Sequence, residues 1–245
     1  MDACVREGDG LRESSAQARL EAVLPAALSR VTATPGVYAV LWCGSAAQGE
    51  ADAHSDLDFH ALVTGDHRWR SSFVVDGVPV EVFHNPARKI RSVLAQGEAA
   101  TVAMFAGGRV LVPHPDLDTL VVEARAVYAA GPAARSPTPA ERHMLLDEVV
   151  EARAAVDEPM HPYLMANAAG KLVRALYAAR GWWEVKPRHW LRDLEGREAE
   201  AAPQLHAALN APEPSGRQAA LEALAFRVLG GLEYGESATE PQPVP

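Results

Sequence analysis

The sequence predicts an α+β protein, a small mixed β-sheet with flanking helices followed by a C-terminal helical bundle, on three observations. Short β-branched and aromatic runs crowd into residues 37–112, a Pro-rich stretch (GPAARSPTP) interrupts the chain at 131–139, and the residues after it carry apolar side chains at helical spacing. The 245 residues are 48% apolar and 22% charged, enough to bury a core in one large domain or two small ones and too apolar for overall disorder.

From Ser14 to Val31 the residues Leu20, Val23, Leu24, Ala27, Leu28 and Val31 recur at helical spacing, with Pro25 predicting a kink or a break. Residues 37–43 (VYAVLWC) form a short apolar run that ends at Gly44 and Ser45 and reads as a buried strand. Residues 57–64 predict a second strand, and 69–75 with 78–84 predict a hairpin around Asp76 and Gly77, a strong two-residue turn signal. A helix over 86–98, a short strand over 109–112 and a helix over 115–130 complete a first domain spanning 14–131. After the Pro-rich linker, Thr138 and Glu141 form a capping-box pair with Pro139 at the first helical position, opening a helix to about Asp157. A second helix runs from near Pro162 to Gly181. A third is expected to open at Ser215 with Gln218 completing another capping box, so the bundle covers 138–235. The polar ends, 1–13 and 236–245, are expected to be disordered.

The chain carries 23 Lys and Arg against 32 Asp and Glu, a net charge of −9 without a basic block, so nucleic acid is not an expected partner. No long uncharged apolar run and no signal-like leader are present, and two cysteines, Cys4 and Cys43, cannot build a disulfide framework or a four-ligand zinc site. A cytoplasmic location without membrane association is the expectation.

The stretch that carries chemistry is Leu41 to Val63, LWCGSAAQGEADAHSDLDFHALV. Asp56 and Asp58 are two apart at the opening of a strand, so their carboxylates point to one face while Leu57 and Phe59 point to the other. Two adjacent anions repel unless a cation sits between them, and all-oxygen ligation suits Mg²⁺. Glu81 is a charge inside the apolar run Val78, Pro79, Val80, Val82, Phe83, and it reads either as a third acidic ligand or as an exposed residue of an edge strand, which Pro79 favours. At Gly44 and Ser45 the chain can turn sharply and offer backbone N–H groups and a hydroxyl to a phosphate. A Walker A reading of Gly44 and Gly49 fails, because Glu50 and Ala51 stand where Lys and Ser or Thr are needed.

Cys43-Gly44-Ser45, a spacer of ten residues, Asp56-Leu57-Asp58 and the later Glu81 together resemble the polymerase-beta-like nucleotidyltransferase superfamily. The phrase GGRVLVPHPD looks like the strand and turn that follow the motif in that group. The helical second half resembles the antibiotic nucleotidyltransferases that modify aminoglycosides and lincosamides. Asn167 to Leu172 is similar to a helix segment carrying a triphosphate-contacting lysine there, and Trp183 to Leu191 is similar to the aromatic and basic phrase after it, with His189 at the usual lysine position. Lys171 stands out on its own terms too: Asn167, Lys171 and Arg174 share one helix face, in a chain with lysine elsewhere only at Lys89 and Lys186.

The resemblance implies transfer of a nucleoside monophosphate, with ATP the first choice of donor, to a small hydroxylated acceptor such as an antibiotic of those classes. Asp56, Asp58 and Glu81 would be catalytic and would hold Mg²⁺, while Gly44, Ser45, Ser55, Lys171 and Lys186 would bind the nucleotide. The general base stays open between Glu81, Glu148 and Glu151. A protein or RNA acceptor, as in toxin and antitoxin members, and a catalytically silent nucleotide-binding module are the alternatives. A homodimer is an expectation by analogy. Trp182, Trp183 and Trp190 read as core before they read as an acceptor platform.

Overall fold

A computed structural model describes residues 3–236, with side chains from Ala16 onward. The described chain forms two compact units that divide between Ala130 and Gly131, at the start of the Pro-rich stretch.

The first unit runs α1 (Ala3–Thr32), β1 (Val37–Cys43), α2 (Gly44–Ala47), β2 (Leu57–Val63), β3 (Trp69–Val75), β4 (Val78–Asn85), α3 (Ala87–Ala95), α4 (Ala99–Gly107), β5 (Arg109–Val112) and α5 (Pro115–Ala130). The five strands lie in the order β3-β4-β2-β1-β5, with β2 and β4 parallel and every other pair antiparallel. Asp76 (φ 48) and Gly77 (φ 77) both take the left-handed backbone of a primed hairpin turn, so Val75 pairs with Val78 and Ser72 stands opposite Glu81. Alternation gives the sheet two faces. Leu57, Phe59 and Ala61 of β2 join Val78, Val80 and Val82 of β4 and Leu20, Ala27 and Val31 of α1 in one core. On the opposite face His60 stacks on Phe83 and meets Phe105 of α4 edge to face.

Three expectations need correction in this unit. Helix α1 spans Ala3–Thr32 and continues through Pro25, the residue at which a kink or a break was expected. Met1, Asp2 and the tail 237–245 lie outside the described residues. The predicted helix over 86–98 is shorter, and α4 follows it without having been anticipated. Its sequence AATVAMFAG is apolar nearly all round and shows no periodic face. Glu98 opens α4 instead, accepting from Ala100 N at 3.2 Å and Thr101 N at 2.8 Å.

The second unit is helical: α6 (Pro139–Ala154), α7 (His161–Arg180), a single 3₁₀ turn at Pro187–His189, α8 (Trp190–Arg197), α9 (Ala201–Asn210) and α10 (Pro214–Leu229). Its core gathers Met165, Leu172, Leu176, Leu194, Leu205 and Leu224. The capping box opening α6 is present, with Glu141 N donating to Thr138 Oγ1 and Thr138 N donating to Glu141 Oε2. The one expected at Ser215 is absent. Pro214 already occupies the first turn, Glu213 is the N-cap, and Gln218 is buried with its amide donating to Glu222 at 2.8 Å. Helices α8 and α9 open without a side-chain cap, which is why no start signal marks them in the sequence.

Candidate active site

The site grows from the end of β1. Cys43 pairs with Asp58 across β1 and β2, and the next residue, Gly44, turns with φ +82 into the four-residue helix α2. A Cβ on Gly44 would stand 2.5 Å from Asp58 Oδ2, so the missing side chain makes the space that the Asp58 carboxylate fills. The Cys43 thiol donates to the Asp58 carbonyl at 3.4 Å, and burial, followed by the Asp58 charge, raises its pKa well above the ordinary thiol range. It is a neutral packing group there and no nucleophile.

Asp56 directly precedes β2 and Asp58 lies on it, while the intervening Leu57 is fully buried in the α1 core. Strand alternation therefore puts both acidic residues on the other face. Across the parallel pair Asp58 stands in register with Glu81. The chain order of the motif thus becomes a spatial neighbourhood: glycine turn, carboxylate pair and third acid on one face of adjacent strands.

Glu81 is not on an edge. Strand β4 lies between β3 and β2, and Pro79, paired with Val74 of β3, comes just before Val80, the first residue of β4 to pair with β2. Its missing N–H therefore removes no bond to β2. Glu81 accepts a 2.7 Å hydrogen bond from Arg70 Nη2, whose guanidinium also lies over Phe83. The side chains of this pair are 60% and 30% exposed, and a surface pair of this kind contributes about 1 kcal/mol or less. Glu81 can leave Arg70 at small cost.

The loop before β2 is locked by its own polar groups. Asp52 N donates to Ser55 Oγ at 2.8 Å, Ser55 Oγ donates to Asp52 Oδ1 at 3.2 Å, and the Ser45 and Ser55 hydroxyls lie 3.4 Å apart. Ser55 is buried and orders this loop; Ser45, at the α2 turn, is half-buried. Two residues along β2 from Asp58, on the same face, His60 is buried between Phe83 and Phe105, with Nε2 3.4 Å from Met104 Sδ and Nδ1 unpartnered. Burial brings its pKa down to about 4 against the pull of the Glu98 charge, so the ring is neutral at pH 7 and too weakly basic for proton abstraction.

Among the described residues no three His, Cys, Asp or Glu side chains converge as a metal-ligand group. The donor chemistry that is present, two carboxylates on one face with a third on the adjoining strand, suits Mg²⁺, which takes one or two carboxylates and completes its shell with water and substrate phosphate oxygens.

In the second unit Glu148 of α6 is held by two residues of α7: Asn167 Nδ2 donates to it at 2.5 Å and Lys171 forms a salt bridge with it. Glu151, one turn further along α6, is exposed. Arg174, the third residue of the α7 face, bridges to Glu184 at 3.2 Å and lies over the Trp190 ring. Lys186 precedes the 3₁₀ turn with an exposed side chain. Trp190 is buried with its indole N–H donating to Val185 O, and Trp182 packs against the same core, as their core reading expected.

Sequence reasoning missed Arg70 and the Glu148–Asn167 contact. Arg70 was accessible: the two-residue turn at Asp76-Gly77 sets the hairpin register and puts it diagonally across from Glu81. The Glu148 contact was not, because it joins two helices whose mutual rotation no local pattern specifies.

Among the solved structures similar to this chain at low identity is a nucleotidyltransferase-like protein from Exiguobacterium sibiricum 255-15, 12% identical, with 84% of this chain and 74% of that chain covered at a TM-score of 0.46. No family model and no curated protein matches the sequence.

Proposed function

We infer that the chain is a Mg²⁺-dependent nucleotidyltransferase that moves a nucleoside monophosphate, AMP from ATP in the first instance, onto a hydroxyl of a small acceptor of the aminoglycoside or lincosamide kind. One observation carries the reading: Asp58, filling the space above the side-chain-free Gly44 turn, with Asp56 two residues before it and Glu81 in register beside it. A glycine turn lets backbone and hydroxyl approach a phosphate closely, and a carboxylate pair at the same place supplies the ligands for the cation that must accompany that phosphate.

In the reaction the acceptor oxygen attacks the α-phosphorus, its proton passes to a base, and the bond to pyrophosphate breaks. Asp56 and Asp58, with Glu81 after it leaves Arg70, would hold Mg²⁺. When bound, the ion offsets triphosphate charge and polarises the phosphoryl oxygens. The chain's own task is positioning. The Asp52–Ser55 hydrogen bonds order the loop before β2, Gly44 and Ser45 would face the phosphate, and the buried His60, neutral at pH 7, packs beside the carboxylates without serving as a base. Glu81, Glu148 and Glu151 remain the candidate bases, and Lys171 and Lys186 the candidate triphosphate cations.

The test is pyrophosphate release from each of the four ribonucleoside triphosphates with Mg²⁺, for wild type and Asp58→Asn, against a panel of aminoglycosides and lincosamides and against a cell extract. Release with one purified antibiotic, lost in the variant, is the expected result. Release only with extract would keep the chemistry and replace the small acceptor by a macromolecular one. Nucleotide binding without metal and without release in any arm would overturn the reading.

A further inference from the structure

The fold gathers positive charge at the end of the first unit's sheet away from the carboxylates, in a chain whose sequence has no basic block. A cavity of about 550 Å³ there is lined by Asp66 and Arg68 from the β2–β3 loop and by Pro86, Arg88 and Lys89 around the start of α3. Three cations and one carboxylate thus surround a cavity on a protein of net charge −9. Arg88 reaches Asp66 at 2.6 Å, but the two side chains are 65% and 79% exposed, so the pair is screened and easily opened by a stronger anion.

A second cavity, about 640 Å³, shares Asp66, Pro86 and Arg88 with the first and extends to Tyr38, His114 and Asp116. Tyr38 and His114 meet edge to face at 4.5 Å, and the Tyr38 hydroxyl donates to Asp116 Oδ2 at 3.0 Å. The Tyr38 pKa is pushed up to about 12, by burial first and Asp116 second, so the phenol stays a neutral donor. The two neighbouring cavities therefore offer a cationic end, an aromatic flank and a carboxylate able to accept from hydroxyl or amino groups. Val63, which lines the second cavity, stands five residues beyond Asp58 on β2, roughly 17 Å along the strand. A ligand here is a different molecule from one on the carboxylates.

The geometry points to a second ligand site, for a small phosphorylated ring compound of the nucleoside monophosphate class. Its phosphate would lie against Arg68, Arg88 and Lys89, and its ring and hydroxyls against Tyr38, His114 and Asp116. Guanidinium forks and a lysine point charge are the side chains that hold phosphate in water. The site does not depend on the function proposed for Asp56, Asp58 and Glu81, and it needs no divalent ion.

Calorimetric titration of the full chain with AMP and, separately, with inorganic phosphate, both in EDTA, tests this. AMP is expected to bind the wild type and Asp58→Asn alike. Its affinity should fall about tenfold or more in Arg68→Glu/Lys89→Glu, and weaken with added salt. Tyr38→Ala should weaken AMP and leave inorganic phosphate unchanged. Circular dichroism and melting of each variant check folding, with Lys89→Gln as the milder substitute for the charge reversal. AMP affinity within twofold of wild type in the charge-reversed protein would overturn the site, as would its loss in Asp58→Asn. Tighter binding of a single-stranded RNA than of AMP at the same salt would overturn the small-ligand class.

Discussion

Glu81 on an interior strand of the first unit and Glu148 on a helix of the second each carry a salt bridge, and the two bridges differ in what they leave available. Glu81 meets a mostly exposed arginine from the neighbouring edge strand, and it shares a sheet face with Asp56 and Asp58. Glu148 meets Lys171 and the Asn167 amide together, both from helix α7. An acidic side chain that gives up only a weak surface pair is ready to be recruited by a cation. One already bound by an ammonium and an amide is a fixed acceptor that orders its lysine. The sheet thus gathers negative charge on one face, whereas in the helical unit the Glu148 charge is offset by Lys171.

The comparison breaks most sharply at Asp58. Asp58→Asn keeps the shape above Gly44 and removes the charge, and it should lower transfer on the order of 10³-fold while leaving the melting temperature near wild type, read by pyrophosphate release and calorimetry. A loss no larger than that of Glu148→Gln would place the metal chemistry elsewhere.

Acid separates the support of the sheet site from its surface. His60 titrates near 4 in the folded chain against its ordinary 6.5, so the unfolded chain takes up protons first. Stability is untouched at pH 7 and falls as pH drops from 6.5 towards 4, by on the order of 3 kcal/mol from this one ring. His84 and His161, whose pKa values burial also lowers, act with the same sign. Urea midpoints at pH 7 and pH 5 should differ by less in His60→Phe than in wild type.

Gly44→Ala tests the glycine turn. It sets a Cβ at 2.5 Å from Asp58 Oδ2 on a backbone with φ +82 and should reduce turnover by about 10²-fold through misplacement of that carboxylate. Lys171→Met, which removes the charge and keeps the stem, should raise KM for the triphosphate about tenfold with a smaller change in kcat. If kcat falls and KM holds, Lys171 serves Glu148 rather than the nucleotide. Arg70→Ala should cost less than about 1 kcal/mol of stability and leave activity within twofold or raise it, because it frees Glu81. A large loss would show that Arg70 positions the acid.

Most of the sheet-borne candidate site is legible in the sequence. The period of two puts Asp56 and Asp58 on one face, the Asp76-Gly77 turn sets the hairpin register, and the burial of Leu57 and Phe59 leaves the acidic residues no other direction. The helical half was less readable. Helix α4 is apolar all round, α8 and α9 lack side-chain caps, and Ser215 sits inside a helix that Pro214 had already opened.

Local chemistry, which acts over a turn or a strand pair, determined by itself the α+β class, the strand limits, the Thr138–Glu141 cap and the one-sided acidic pair. Only tertiary structure decided that β4 runs parallel to β2 and brings Glu81 beside Asp58, that Lys171 closes on Glu148, and that Arg68, Arg88 and Lys89 meet at one end of the sheet. Those contacts depend on strand order and helix rotation, which are set by burying all the apolar faces at once rather than by any single stretch of residues.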